Sequence, residues 1–365
     1  MRIVILANSD VGLVRFRKEL VEMLCKEHEL YIVLPRGELI EQLEALGGKF
    51  IPFEFNRRGL SPTVDLAQFR RYMALLKKLK PDVVLTYTIK PNIYGGMACQ
   101  LRRIPYIANI TGLGSAIENG GLLRLFSVAL YKVGLRKASC VFFQNSSNLR
   151  LFVDGGIVRR RTRLVPGSGV NLAAHVPVPY PDDEGTRFLF VGRVMKEKGI
   201  EELLCAIRQL HKIRDDTTLD VVGPCEEDYM ARLQDAMSEG AIRYHGMQAD
   251  VRPFYAACHC VVLPSYHEGM ANVILEASAT ARVVIASRVP GCQEAFDEGV
   301  TGFGCEARDA ESLRQAMQRF IDLPRSAREG MGLAARQKIE REFDRNIVLN
   351  AYREEIENAF ASVGN

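Results

Sequence analysis

The 365-residue sequence has no tryptophan and no CxxC pair, and its nine scattered cysteines are an odd number. This pattern predicts free thiols and argues against a disulfide framework or a zinc site. No stretch approaches the roughly 18 apolar residues that a membrane span needs. No GxGxxG follows a predicted strand, which excludes the usual pattern of a nicotinamide-dependent dehydrogenase.

The sequence also has little that indicates nucleic-acid binding or export. No zinc finger, RNP motif or basic strand with interleaved aromatic residues is present, so no nucleic-acid partner is expected. The apolar segment after Met1 is too short for a signal peptide and reaches the polar residue Asn8 at once. It predicts a buried first strand and a cytoplasmic protein.

Acidic residues are scarce in the first half of the chain. Residues 1–170 hold 26 Lys and Arg against 13 Asp and Glu, whereas residues 171–365 hold 22 against 31. Such asymmetry indicates that the first half meets something anionic, for which anionic lipid and nucleic acid are the two candidates at this point.

Short apolar runs alternate with amphipathic stretches along the whole chain. This alternation is typical of the α/β class, with two Rossmann-like, doubly wound parallel-sheet domains. Ligands of such sheets bind at the carboxyl ends of the strands, here in a predicted inter-domain cleft. Strands are predicted at Ile3–Ala7, Leu30–Leu34, Val83–Thr86, Tyr106–Ile110, Cys140–Phe143, Phe188–Val191, Thr218–Val222, Ile242–His245, Cys260–Leu263 and Val283–Ser287.

The stretch from Gly167 to Gly185 is rich in proline, glycine and acidic residues and interrupts the alternation, as a linker does. We therefore expect an N-terminal domain over residues 1–170. A C-terminal domain is expected over residues 171–344. Residues 345–365 are expected to form a helix that crosses back to the first domain.

The strongest polar motif runs from Pro264 to Ala277, after a buried strand and into a helix. Glu268 and Glu276 lie eight residues apart and flank Gly269 and a predicted helix start near Asn272. A helix start offers unpaired N–H groups to a phosphate. The alternative interpretation is a surface loop with two solvated acids.

The second motif follows the strand that ends at Gly192. Arg193 and Lys198 come from the next loop, and two cations at a strand end suit a diphosphate leaving group. Taken alone, either side chain could be an ordinary solvated charge.

Together these motifs resemble the donor site of retaining GT-B glycosyltransferases of family four, over nearly the whole chain. The resemblance implies that Arg193, Lys198 and Glu268 are catalytic, with the two cations on the donor diphosphate and Glu268 on the sugar hydroxyls. It implies that Glu276 binds the ribose of a UDP-sugar and that no metal or other cofactor is needed. The absence of a DxD triplet is in keeping with this. The implied donor-binding residues are Gly192, Gly223, Gly246, Gly269, Met270, Ala271, Asn272, Val273 and Glu276.

The first half resembles a subgroup that transfers an N-acetylhexosamine, often N-acetylgalactosamine, to undecaprenyl-diphosphate-linked sugars in bacterial glycan assembly. The segments that carry this resemblance are Thr86–Gly95 and Asn109–Ser115. Lys90 is then expected to pair with the acceptor pyrophosphate, or else is a solvated loop lysine. The expected acceptor-binding residues are Asn8, Gly12, Lys90, Asn109, Thr111, Gly112 and Glu118.

One position departs from the family pattern. Many relatives carry histidine where Thr111 stands, so this chain has no obvious general base there. A front-face mechanism, in which the leaving phosphate oxygen takes the acceptor proton, needs no such base. Glu118 is a possible assistant or an ordinary loop acid.

The stretch Leu122–Lys137 mixes apolar and cationic residues at helical spacing, as interfacial helices do. We expect it to dock the protein peripherally on the anionic inner face of the cell membrane, unless its apolar face packs in the core. A nucleotide-sugar epimerase of similar architecture and an inactive binding scaffold are the remaining alternatives.

Overall fold

The computed structural model describes residues 1–54, 62–112, 121–182 and 185–362. The chain divides into two compact units. Unit 1 comprises Met1–Ser168 and Asn346–Asn365, and unit 2 comprises Gly169–Arg345. Each unit contains one parallel sheet, so the predicted pair of Rossmann-like α/β units is confirmed.

Unit 1 is built on a seven-stranded sheet in the order β3-β2-β1-β4-β5-β6-β7. The central strands carry almost unbroken apolar runs because helices cover both faces of the sheet. Its strands are β1 (Arg2–Leu6), β2 (Glu29–Leu34), β3 (Lys49–Pro52), β4 (Val83–Tyr87), β5 (Tyr106–Ile110), β6 (Cys140–Phe143) and β7 (Thr162–Leu164).

The helices of unit 1 include a π-helical turn and the last helix of the chain. A π-helical turn at Pro91–Gly95 leads directly into α4. The last helix, α13 (Arg345–Ala361), packs Val348, Tyr352 and Ile356 into the core beside β1 and β2. The other helices are α1 (Asp10–Glu27), α2 (Ile40–Ala45), α3 (Pro62–Leu79), α4 (Gly96–Arg102), α5 (Gly121–Gly134) and α6 (Ser146–Asp154).

Unit 2 is built on a six-stranded sheet in the order β10-β9-β8-β11-β12-β13. Its strands are β8 (Thr186–Val191), β9 (Thr217–Val222), β10 (Ile242–Tyr244), β11 (Cys260–Leu263), β12 (Val283–Ser287) and β13 (Gly302–Cys305). Its helices are α7 (Ile200–Ile213), α8 (Met230–Ser238), α9 (Arg252–Ala257), α10 (Asn272–Ala279), α11 (Ala310–Ile321) and α12 (Arg325–Glu342), with single 3₁₀ turns at Lys196–Lys198 and Gln293–Ala295.

Three strands that the sequence did not predict are the edge strands β3, β7 and β13. They are three or four residues long, and β13 contains two glycines, so neither length nor β-propensity marks them. They form because the neighbouring strand supplies the hydrogen-bonding partner.

The stretch predicted to be a linker is held against unit 2. Arg282 is fully buried, and its guanidinium donates to the carbonyl oxygens of Val178 and Pro179 at 3.1 and 2.7 Å. The amide of Val178 donates in turn to Thr280 O at 3.4 Å. The proline-rich composition therefore marks an extended, anchored segment.

Candidate functional site

The two charged motifs of unit 2 lie at the ends of neighbouring strands. β11 pairs with β8 in parallel, so the loop after each strand emerges at the same edge of the sheet. Arg193 and Lys198 follow β8, and Glu268 follows β11. Sheet topology thus brings together residues that are about 70 positions apart in the chain.

These two loops are joined by three contacts. The ammonium group of Lys198 donates to the carboxylate of Glu268, and both side chains are mostly shielded from solvent. The amide of Tyr266 donates to Glu197 O at 2.9 Å. Gly199 has a φ of +69°, and a Cβ there would lie 2.1 Å from Pro264 O, so only glycine permits this approach.

Arg193 is more exposed to solvent than Lys198. Its guanidinium lies 2.8 Å from the Glu226 carboxylate, and about half of each side chain is exposed. Exposed ion pairs of this kind contribute little to stability. Arg193 can therefore exchange Glu226 for an anionic ligand with little loss.

The glycines that were expected to bind donor differ in how closely other atoms approach them. Gly223 has a φ of +140°, and a Cβ there would lie 1.8 Å from Gly192 O, so the loops after β8 and β9 are in backbone contact. Gly246 also has a positive φ, but a Cβ would meet open space. Gly192 donates to Val222 O at 2.9 Å, and Gly223 donates to Gly246 O at 2.8 Å.

The predicted helix start is present, because α10 begins at Asn272 with no side-chain cap from the residue before it. Met270 and Ala271 are buried, so only their backbone atoms could reach a ligand. Asn272 and Val273 are half-buried, as is Gly269. The first N–H groups of a helix lack intrahelical partners and carry the positive end of its dipole.

Glu276 lies on α10, one turn beyond this start, and is oriented by a buried tyrosine. The hydroxyl of Tyr255 donates to Glu276 Oε2 at 2.9 Å, and the Tyr255 side chain is completely buried. Burial and the adjacent carboxylate hold the pKa of Tyr255 well above its usual value, so the hydroxyl stays a donor.

Within the described ranges, no group of three or more His, Cys, Asp or Glu could hold a metal ion.

In unit 1, Lys90 already has a counter-charge. Its ammonium lies 3.0 Å from Asp65 Oδ1, and both side chains are about nine-tenths buried. Breaking a buried pair leaves an uncompensated charge, so Lys90 is poorly suited to leave Asp65 for a ligand.

Asn109 is buried at the end of β5, and its side chain forms hydrogen bonds to other parts of unit 1. Its side-chain oxygen accepts from the Tyr352 hydroxyl, and its amide donates to Thr86 O at 3.1 Å. Tyr87 donates to the Tyr352 hydroxyl at 3.0 Å. The structure therefore gives Asn109 a part in joining α13 to the sheet.

The other expected acceptor residues lie near strand ends. Asn8 and Gly12 flank the start of α1, and Thr111 and Gly112 follow β5, all four partly exposed. A Cβ at either glycine would meet no atom of the described residues within 4 Å. Glu118 lies outside the described residues.

The sequence analysis missed Arg17. The buried face of α1 includes Leu13, Arg17, Leu20, Val21 and Leu24, at the spacing of an apolar stripe. A charged residue on such a stripe is the signal that could have singled it out, because buried charges require partners.

Two family models match the chain: "Glycosyl transferase 4-like" over residues 2–145 and "Glycosyl transferases group 1" over residues 185–322. A similar curated protein is the N,N'-diacetylbacillosaminyl-diphospho-undecaprenol alpha-1,3-N-acetylgalactosaminyltransferase of Campylobacter jejuni. It is 26% identical over 96% of this chain and 97% of that protein. The capsular polysaccharide biosynthesis glycosyltransferase CapM of Staphylococcus aureus is 24% identical over 90% of both chains.

The fold is shared with solved structures. A glycosyltransferase from Rickettsia africae superposes with a TM-score of 0.80 at 19% identity, covering 98% of both chains. HepE of Anabaena, in complex with UDP and glucose, superposes with a TM-score of 0.80 at 19% identity, covering 98% of this chain and 99% of that one. The two family models cover the strand-end motifs of both units. The chain therefore belongs to the GT-B glycosyltransferases of family four.

Proposed function

We propose that this protein is a retaining, metal-independent glycosyltransferase that moves an N-acetylhexosamine from a UDP-sugar to an undecaprenyl-diphosphate-linked sugar. The observation that carries the proposal is the contact between Lys198 and Glu268, which unites the two charged motifs. GalNAc is the favoured sugar, with bacterial surface-glycan or protein-glycosylation assembly as the setting.

On the donor side, each side chain exchanges a protein partner for a ligand. When the donor binds, Lys198 leaves Glu268 and Arg193 leaves Glu226, and both cations contact the donor diphosphate. Glu268 then accepts hydrogen bonds from sugar hydroxyls. Glu276, oriented by Tyr255, accepts from the ribose. Two cations aimed at the leaving diphosphate stabilise the charge that grows as the glycosidic bond breaks.

The chemical step follows a front-face course. The acceptor hydroxyl attacks the anomeric carbon on the face from which the diphosphate departs, and the leaving phosphate oxygen takes its proton. Threonine at position 111 supports this course, because its hydroxyl is not basic enough to accept that proton.

The acceptor class rests on the similarity to the C. jejuni enzyme, whose name specifies a diphospho-undecaprenol acceptor. That similarity extends over both units, including unit 1 with the expected acceptor residues.

The test is a panel of UDP-sugars incubated with a short-chain polyprenyl-diphosphate sugar and scored by product mass. We expect turnover with UDP-GalNAc, an α-linked product by NMR, and full activity in EDTA. Turnover only with UDP-GlcNAc, UDP-Gal or UDP-Glc would replace the donor sugar and keep the enzyme class. Conversion of donor without acceptor would indicate an epimerase, and a β-linked product would overturn retention.

Peripheral membrane docking through α5 is the second part of the proposal. Ser127, Tyr131 and Gly134 face the core, whereas Leu125 and Phe126 are at least half exposed. No Asp or Glu occurs in residues 119–153, and exposed cations flank the apolar pair: Arg124, Lys132, Arg136 and Lys137. One face of the helix therefore packs in the core while the other combines apolar and cationic groups, as interfacial helices do.

Vesicle co-sedimentation tests this docking. In the described part of the chain, no helix is long and apolar enough to cross a bilayer. We expect binding to vesicles with anionic phosphatidylglycerol, and weak binding to pure phosphatidylcholine. Leu125→Ser with Phe126→Ser should reduce binding, whereas Ile213→Ser, at an exposed site on unit 2, should not. Equal binding by both variants would contradict the proposal.

A further inference from the structure

Arg17 is a buried cation that has no counter-charge among the residues that the structure describes. The residue is 6% exposed, and its Nη1 atom is buried with no hydrogen-bond partner in the parts of the chain that the structure describes. Across the same residues no carboxylate forms an ion pair with it. The nearest acid along the buried face of α1, Asp10, accepts from the amides of Val11 and Leu39 instead.

Two tyrosine rings surround the guanidinium. Its central carbon lies 5.6 Å from the ring centroid of Tyr87 and 5.7 Å from that of Tyr352. Ring faces offset part of the charge. They provide no oxygen for the five N–H donors of a guanidinium. The hydroxyls of both tyrosines donate to other acceptors, and no carboxylate in the described ranges supplies the missing anion.

This cation lies at the ligand-binding edge of the sheet. Tyr87 is the last residue of β4, and α1 begins directly after β1, the neighbouring strand. Thr88 follows with a φ of +71°, an uncommon conformation for a β-branched residue, and its buried hydroxyl has no partner among the described residues. Strained backbone and the π-helical turn at Pro91–Gly95 are features that cluster at functional sites.

We propose that Arg17 binds an oxyanion of the phosphate type that arrives with the acceptor. In the terms of the proposed function, on which this identification rests, that oxyanion belongs to the acceptor diphosphate. The planar guanidinium fork matches phosphate oxygens in a bidentate manner. Lys90, the cation that the sequence favoured for this task, is neutralised by Asp65, whereas Arg17 is not.

The first test measures anion binding without any transfer reaction. All variants carry Arg193→Ala and Lys198→Ala, so that the donor site does not respond to the probe. In this background, inorganic pyrophosphate at roughly ten times its Kd should raise Tm by about 3 °C. Arg17→Met should abolish the rise, and Arg15→Met, an exposed arginine on the same helix, should leave it intact.

The Tm without ligand separates a binding role from a structural one. A cation kept for a ligand is unfavourable in the free protein, so Arg17→Met should hold or raise Tm. A lower Tm with an unchanged pyrophosphate response would overturn the inference. If Arg17→Met does not fold, the Arg17→Lys variant is measured in its place. Lysine keeps the positive charge but lacks the planar guanidinium, so an undiminished pyrophosphate response in Arg17→Lys would also overturn the inference. An equal rise with acetate would overturn the phosphate assignment.

The second test uses transfer by the otherwise wild-type protein. Arg17→Met should raise the KM for the polyprenyl-diphosphate acceptor at least about tenfold and leave the KM for the donor unchanged. If transfer is observed but neither the acceptor KM nor the pyrophosphate response changes, this inference fails while the proposed function stands. If the response depends on Arg17 but no polyprenyl acceptor is used, the anion site stands and the acceptor class fails.

Discussion

In unit 2, Lys198 and Glu268 meet at the ends of neighbouring strands, and their side chains are 20% and 15% exposed, against 10% and 7% for Lys90 and Asp65 in unit 1. In unit 1, Lys90 and Asn109 face partners inside the protein. The unit 2 residues were singled out as charged side chains just after buried strands, whereas the unit 1 residues were expected from the resemblance to a transferase subgroup. The difference shows that a position at a strand end indicates proximity to the ligand edge, and that availability depends on what else packs there.

The largest expected effect is on Lys198. Replacement by alanine removes a cation from the leaving diphosphate and should lower kcat/KM by about 10²–10³-fold. Lys196→Ala in the same 3₁₀ turn is the matched control, because Lys196 is exposed. Comparable losses in both variants would show that the turn as a whole matters and that the Lys198–Glu268 contact is not special.

A pH effect should distinguish buried polar groups of the two units. Burial, aided by nearby arginines, lowers the pKa of His175 in unit 2 to about 4, and its Nδ1 has no partner within the described residues. The unfolded chain, with a pKa near 6.5, binds the proton first, so stability is complete above about pH 6.5 and is lost as pH falls toward 4.

Compared with His175→Phe, the wild-type protein should therefore lose about 2–3 kcal/mol more unfolding free energy between pH 7 and pH 4. Urea titrations across this range measure the difference. Parallel curves for the two proteins would mean that His175 titrates normally in the fold. The Asn109 hydrogen bonds of unit 1 involve no histidine or carboxylate and should be insensitive over the same range.

The structural assignment of Asn109 predicts an effect on stability. Asn109→Ala leaves the Tyr352 hydroxyl without its acceptor and should lower the unfolding free energy by about 2 kcal/mol. Thr111→Ala, a partly exposed position on the same side of the sheet, should change it by less than about 0.5 kcal/mol. If the Asn109→Ala protein is as stable as the wild type and has a raised KM for the acceptor, the structural role is wrong and Asn109 binds acceptor.

The smallest expected effect concerns Tyr255. Tyr255→Phe removes the hydrogen bond that orients Glu276 while keeping the packed ring, and should weaken UDP binding by about 3–10-fold. Tyr229→Phe, which removes a hydroxyl donating to Glu201 in the same unit, is the control and should leave binding unchanged. Calorimetry with UDP and 2'-deoxy-UDP completes the test, since loss of the ribose contact should reduce the preference between them.

The alternation of apolar runs and amphipathic stretches determined the two parallel sheets, because each buried strand and each covering helix leaves its own period in the sequence. The same local pattern placed Arg193, Lys198, Glu268 and Glu276 after strands or at a helix start, and the sheet order then brought the first three together. The edge strands β3, β7 and β13 escaped prediction because a neighbouring strand, rather than their own composition, makes them strands, whereas the edge strand β10 was predicted.

Only the tertiary structure decided which polar groups are free. Asp65 neutralises Lys90, and the hydroxyl of Tyr352, 243 positions away, donates to Asn109, whereas no carboxylate of the described residues pairs with Arg17. These outcomes depend on side chains that are distant in the chain, and no local pattern encodes such pairings. The physical reason is that burial makes each charge and hydrogen-bonding group dependent on a specific partner, and packing alone determines whether that partner is present.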